Sequence, residues 1–289
     1  MKYLQTSASL LVLLIAFSSC EKVIDLDLPD GEKLIYLDAW ITDQPGVQTI
    51  RLLQAVNYMD QNQPSPVSDA AIKLTDITIN KSYNFTYNNG SYSFDPGSAQ
   101  SIGITGHQYK LDITYKGEKF EASDMLPRVA KIDSLTLEHK EHESDFEKEG
   151  FYAELYARDL VGATDYYWIR TFRNGKLNPY LEDMLSIDGS FDAGISDGFV
   201  FIPPFREGVT SGEHPYQKGD EIQVVVRSLS KDSYLFMEQA MEQIANEGMF
   251  AEVLQNVPSN IFNSKTEGGL KLYGWFGTVA ETSARKKVE

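Results

Sequence analysis

Cysteine is almost absent from this 289-residue chain: Cys20 is the only one. A single thiol excludes intrachain disulfides and multi-cysteine metal sites. Positive charge is scarce too, with 26 Lys and Arg against 42 Asp and Glu, a net charge of -16 and a pI near 4.7. That balance argues against a nucleic-acid grip, which needs basic side chains on phosphates, and against electrostatic docking on anionic lipid. The longest apolar run, Leu10 to Phe17 (LLVLLIAF), falls well short of the ~20 residues that cross a bilayer. Histidine is limited to four residues. The zinc-protease motif wants Glu directly after one histidine and a second histidine four residues on; His142-Glu143 has Phe146 there, and His139 is followed by Lys140. A nucleophile elbow, a phosphate loop and a dinucleotide fingerprint are missing as well. No cofactor is expected. A glycosidase-type carboxylate pair could be hidden among the 42 acids, but spacing singles out none.

The amino terminus carries the strongest positive signal. Lys2, the short apolar run, and then Ser18, Ser19 and Cys20 have the layout of a secretory signal. A cysteine directly after small residues resembles the lipobox of bacterial lipoproteins, with Phe17 where leucine is usual. That resemblance implies that the Cys20 thiol takes a diacylglycerol, that residues 1–19 are removed, and that Cys20 becomes the acylated first residue. Loss of Lys2 then moves the net charge from -16 to -17. Several acyl chains together anchor stably where one does not. Residues 20–33 read as a lipidated tether. Asp25 and Asp27 begin a calcium-loop pattern, but Pro29 and Asp30 stand where an oxygen ligand and glycine are needed.

From residue 34 the chain reads as short strands between turns. Leu34–Ile41, Thr49–Ala55, Ala70–Thr75, Ser82–Tyr87, Ser91–Phe94, Gln108–Tyr115 and Glu118–Ala122 are the candidates. Asn88-Asn89-Gly90 marks a hairpin, because it supplies positive φ at little cost. These features predict an immunoglobulin-like or transthyretin-like sandwich over residues 34–127, with an exit at Met125-Leu-Pro127. Tyr83, Phe85 and Tyr87 share one strand face, and Tyr92 and Phe94 share a face of the partner. Core packing is the favoured reading of that strip, ahead of a ligand-stacking surface.

Residues 128–289 predict a second antiparallel β domain carrying one amphipathic helix. Its strand candidates are Lys131–Glu138, Tyr152–Arg158, Tyr166–Arg173, Phe199–Ile202, Glu221–Ser228 and Leu270–Ala280. Ser230 can cap a helix over residues 231–247, in which Tyr234, Met237, Met241 and Ile244 mark a core-facing stripe. Residues 178–220 read as a long loop, the kind that is functional or disordered. Within it, Asp188, Asp192 and Asp197 fit no calcium spacing and read as solvated acids. Phe205 and Tyr216, flanked by glycines and charges, are the candidate contact surface if exposed. If Phe199 and Phe201 point inward, they are strand core.

An ordered set of segments carries a wider resemblance. It includes Cys20-Glu-Lys-Val-Ile-Asp-Leu-Asp, Ile41-Thr-Asp43, Pro66-Val-Ser-Asp-Ala70 and Gly90-Ser-Tyr92. It continues with Gly219-Asp-Glu-Ile222, Ser228-Leu-Ser-Lys231, Asn256-Val-Pro-Ser-Asn260 and Gly268-Gly269. The chain from Cys20 to about residue 288 resembles the domain-of-unknown-function 4249 family, lipoproteins of Bacteroidota-type bacteria. Lys271-Leu-Tyr273 departs from the compact Gly-aromatic segment usual there. The resemblance implies an outer-membrane lipoprotein beside a TonB-dependent nutrient transporter, and it carries no catalytic residues. Glu21, Lys22 and Asp25 after the cysteine suit the outer face. The expectation is a non-enzymatic accessory that captures a ligand for, or docks onto, such a transporter. A surface glycan or peptide hydrolase and a purely structural lipoprotein are the alternatives. Labelled palmitate should enter the wild-type protein, and Cys20→Ala should abolish labelling and release the body or leave an unprocessed precursor. Absence of label on wild type would remove the lipoprotein reading.

Overall fold

The structure is a computed structural model that describes residues 34–56, 63–142, 144, 146–245, 257–265 and 267–289. The signal segment, Cys20, the tether and the end of the expected helix lie outside the described residues. No helix among the described residues is long and apolar enough to cross a membrane.

The first part contains β1 (Ile35–Thr42), β2 (Gln48–Gln54), β3 (Ser65–Pro66), β4 (Ala71–Asp76), β5 (Lys81–Asn88), β6 (Ser91–Phe94), β7 (Gln108–Tyr115) and β8 (Glu118–Met125). Alternating burial along β1, β4 and β7 follows from the two-residue period of a strand with one face on a core. The long strand β5 joins two layers. Residues 81–85 pair with β4, while residues 86–88 pair with β6. The chain thus folds into a sandwich whose core includes Leu37, Ile50, Leu74, Tyr92, Leu111 and Phe120. Asn89 and Gly90 both have positive φ, as a two-residue hairpin turn requires. Tyr83, Phe85 and Tyr92 are buried, and the Tyr83 and Phe94 rings meet edge-on at 5.2 Å, so most of the aromatic strip is core, while Tyr87 at its end is exposed.

The second part contains β9 (Ile132–Lys140), β10 (Gly150–Ala157), β11 (Tyr166–Arg173), β12 (Lys176–Leu177), β13 (Met184–Ile187), α1 (Pro203–Glu207), β14 (Glu221–Leu229), α2 (Lys231–Ala245), β15 (Phe262–Asn263), β16 (Leu272–Val279) and β17 (Glu281–Lys287). One sheet runs β12-β11-β14-β17, with β13 also on β11, and β9 pairs with β10 alone. Tyr167, Ile169, Val224, Val226, Leu155 and Phe201 fill the core of this part. Ser230 Oγ accepts the Ser233 N–H at 3.2 Å and caps α2. Only the first half of the expected α2 stripe is core. Tyr234 and Met237 pack with Trp168 and Leu229, whereas Ile244 is 74% exposed.

The pairing departs from two consecutive domains split after residue 127. β16 lies parallel to β1 from Ile35↔Leu272 to Thr42↔Val279, and β15 pairs with β8. After Ala280 the same strand continues as β17 and pairs with β14 in the other sheet. Strand directions then assign the ends. Ile35, Gln54 and Leu272 lie at one pole of the sandwich, and the second part leaves from the other.

Ser228 holds the crossing. Its N–H donates to Ala280 C=O at 2.9 Å, while its Oγ accepts Ala280 N–H at 2.9 Å and donates to Pro127 C=O at 3.1 Å. Ser228→Ala should lower stability by about 2 kcal/mol, because it orphans a buried N–H and a carbonyl. Urea unfolding measures this, and an unchanged midpoint would show that the crossing is held elsewhere.

Candidate functional site

Two loops at the junction end of the second part build a surface feature. The first, residues 158–165, connects β10 to β11. The second, residues 188–199, lies within the expected loop. Both are fixed from beneath by buried acids. Arg128, just past the exit from the sandwich, forks onto Asp165 with Nε–Oδ1 at 3.0 Å and an Nη2–Oδ2 contact at 2.6 Å. The same guanidinium donates to the carbonyls of Leu160, Val161 and Ala163 at 2.8–3.2 Å. Asp159 accepts Tyr167 O–H at 2.6 Å and Gly198 N–H at 3.1 Å. Asp188 accepts the N–H groups of Asp165 and Gly194 at 2.7 and 2.9 Å. Asp197 accepts Gly162 N–H at 2.8 Å and ties the two loops together.

Burial pushes the Asp159 and Asp165 carboxyls above the usual carboxylate range, against the hydrogen bonds and, for Asp165, the Arg128 charge. Burial likewise raises the Tyr167 hydroxyl, and its bond to Asp159 adds to the effect. Raised carboxyls are a mark of active sites, but these have their oxygens occupied by Arg128, Tyr167 and a backbone amide. Asp188 is buried rather than solvated, contrary to the expectation, and it serves as a loop anchor. Among the described residues no His, Cys, Asp or Glu group is placed to hold a metal ion.

Above this frame, Val161, Phe191, Ile195 and Phe199 are 62–75% exposed. A Cβ on Gly198 would lie 2.7 Å from Val161 Cγ2, so Val161 packs against the backbone next to Phe199, and the positive φ of Gly198 favours glycine. Phe199 N–H donates to Ser196 C=O at 2.8 Å and closes a turn over residues 196–199. Val161 and Phe199 are thus exposed apolar neighbours on an otherwise acidic chain; Ile195 and Phe191 are exposed on the same loop as Phe199, and the Phe191 ring lies 4.9 Å from that of buried Phe205.

The candidate contacts Phe205 and Tyr216 are not on the surface; they are 3% and 1% exposed. Phe205 lies in α1, started by Pro203 and Pro204, and points into the core against β10. Tyr216 exchanges backbone hydrogen bonds with Phe151, and its hydroxyl donates to Val209 C=O at 2.8 Å. The neighbouring run splits by parity: Phe201 is buried beneath Gly189, where a Cβ would meet its ring at 2.2 Å, and Phe199 points out. The sequence reading makes Phe199 and Phe201 core if both point inward; the alternation between them is the signal that separates the two. Val161 and Ile195, single apolar residues in polar loops, carried none. His139 rests edge-on against Phe151, and His142 is exposed.

A two-part β protein with a sandwich, a strand shared between sheets and exposed apolar residues on acid-anchored loops is the class these features define. The chain belongs to the family described as a domain of unknown function (DUF4249), whose model matches residues 21–285. No curated protein matches the chain.

Arg128→Met should lower stability by about 2–4 kcal/mol, since Asp165 loses its charge partner and three carbonyls lose a donor. Hydrogen exchange should then rise first at residues 160–165 and 194–199. Uniform acceleration across both sheets would instead show that Arg128 does not set these loops.

Proposed function

We propose that the protein is a non-enzymatic accessory of the outer membrane. It is tethered through acylated Cys20, faces the cell exterior, and docks onto a TonB-dependent nutrient transporter through the Val161–Ile195–Phe199 face. The observation that carries this reading is the set of exposed apolar side chains, Val161, Ile195 and Phe199, on two loops pinned by buried acids. Contiguous apolar side chains on a soluble surface mark interaction sites, and a rigid frame lowers the ordering cost of binding. The acids with raised carboxyls lie under that face with their oxygens occupied, which favours docking over hydrolysis.

The acids Asp192 and Asp197, on the same loop as Ile195 and Phe199, disfavour an anionic bilayer as the partner and favour a protein.

Val161→Ser, Ile195→Ser and Phe199→Ser combined should leave the melting temperature within a few degrees of wild type, because surface substitutions change stability little. Phe199→Ala alone should weaken association by about 2 kcal/mol, close to thirtyfold. Affinity purification from native membranes reads this out, with a large barrel protein expected with wild type and lost with the triple variant. A folded triple variant that retains the barrel overturns the docking reading.

A further inference from the structure

A second surface stands at the far end of the second part, a strand length beyond the junction and independent of the docking face. A cleft of about 820 Å³ opens there between the β11–β12 hairpin and the segment before β14. Its lining includes an aromatic pair: the rings of Tyr180 and His214 stack with centroids 4.0 Å apart and planes 26° from parallel. Neither ring is in the core; Tyr180 is 48% exposed.

The pair is held from behind. Tyr180 N–H donates to Asn178 Oδ1 at 3.2 Å, and buried Asn178 donates from Nδ2 to Tyr216 O–H at 3.2 Å. Arg173 donates to the carbonyls of His214 and Pro215 at 3.2 and 3.3 Å, while its guanidinium lies over the Tyr216 ring. Buried Tyr216 therefore supports both halves of the stack. The platform exists before any ligand arrives, as small-molecule sites usually do.

The charges around the stack select the ligand. Arg173 is neutralised by Asp220. The remaining ionic groups are Lys148 and Lys176 against Glu149 and Glu213, two of each sign, with Gln217 supplying a donor and an acceptor. A phosphate-bearing ligand would require an excess of cation. An extended peptide would require a free strand edge, and β12 offers two residues. A pyranose has different needs: a flat ring to cover its C–H face, and donors and acceptors in equal measure around its hydroxyl rim. The volume lies within the 300–1,000 Å³ range of enclosed-ligand sites and accommodates more than one sugar ring.

We infer that the Tyr180–His214 cleft binds an uncharged oligosaccharide by stacking. Saturation-transfer NMR on the intact protein with maltohexaose, cellohexaose and xylohexaose tests this. Transfer to ring C–H protons is expected for at least one of the three. Tyr180→Ala and His214→Ala should each weaken that sugar about tenfold, the scale of one aromatic stack, with unchanged melting temperatures. No transfer from any of the three overturns the inference. So does an affinity unchanged in both variants, or saturation of a tryptic casein digest in place of the sugars.

Discussion

The arrangement depends on one strand belonging to two sheets. Residues 272–279 close the sandwich beside β1, residues 281–287 complete the second sheet beside β14, and Ala280 between them is buried. A strand can change sheets only if its backbone groups find partners through the change. Here Asp43 N–H donates to Val279 C=O at 3.1 Å, and Asp43 Oδ1 accepts Glu281 N–H at 2.9 Å. Ser228 serves Ala280 on both sides. Two residues before Ala280, Asp124 accepts Thr278 N–H at 2.7 Å, and burial raises the Asp124 carboxyl. Trp275 Nε1–H donates to Ser233 Oγ at 2.9 Å and joins the N-terminus of α2 to the same seam. Tilting one sheet against the other would break these bonds together, so the two parts form a single body.

Acids, rather than apolar side chains, hold up the two loops that carry Val161 and Phe199. Loops 158–165 and 188–199 reverse direction several times and leave backbone N–H and C=O groups unpaired. A packed hydrocarbon cannot satisfy those groups; a carboxylate accepts several N–H bonds and a guanidinium donates several. Burying Asp159, Asp165 and Asp188 costs desolvation, visible in the raised carboxyls of Asp159 and Asp165. The cost is offset because each charge replaces several unsatisfied backbone groups. With polar groups turned inward, Val161, Ile195 and Phe199 are left facing outward without collapsing onto the core.

Much of this was legible from residue order. The strands of the sandwich, the Asn89-Gly90 hairpin, the Ser230 cap and the mainly β class follow from alternation and turn chemistry, which are local. Three features were not legible, for one physical reason: they rest on contacts distant in sequence. β17 (ETSARKK) has no apolar alternation, and only its pairing with β14 makes it a strand; its charges suit an edge. The return of β16 to β1 spans more than 230 residues, and nothing near Leu272 announces it. Phe205 and Tyr216 look like loop aromatics because glycines and charges surround them, yet α1 and the Phe151 pairing turn both inward. Tyr180 is the reverse case. Asn178-Pro179 signals a turn that presents the next residue, but its value as a surface depends on His214, which the fold brings to it from 34 positions away.

Tyr216 then acquires a meaning opposite to its first one. It is a support rather than a contact: Asn178 and the Arg173 guanidinium rest on it, and Tyr180 and His214 rest on them. A buried phenol suits that task because its ring offers a face to a cation while its hydroxyl accepts from an amide and donates to a carbonyl. Asp165 plays the corresponding part at the other end, where Arg128 links it to the carbonyls beneath Val161. In each case an arginine joins a buried anchor to loop carbonyls, and the exposed side chains that could meet a partner lie one step further out. The same device at both ends of one rigid body separates the two surfaces by about a strand length of β14, roughly 25 Å, so occupancy of one need not obstruct the other.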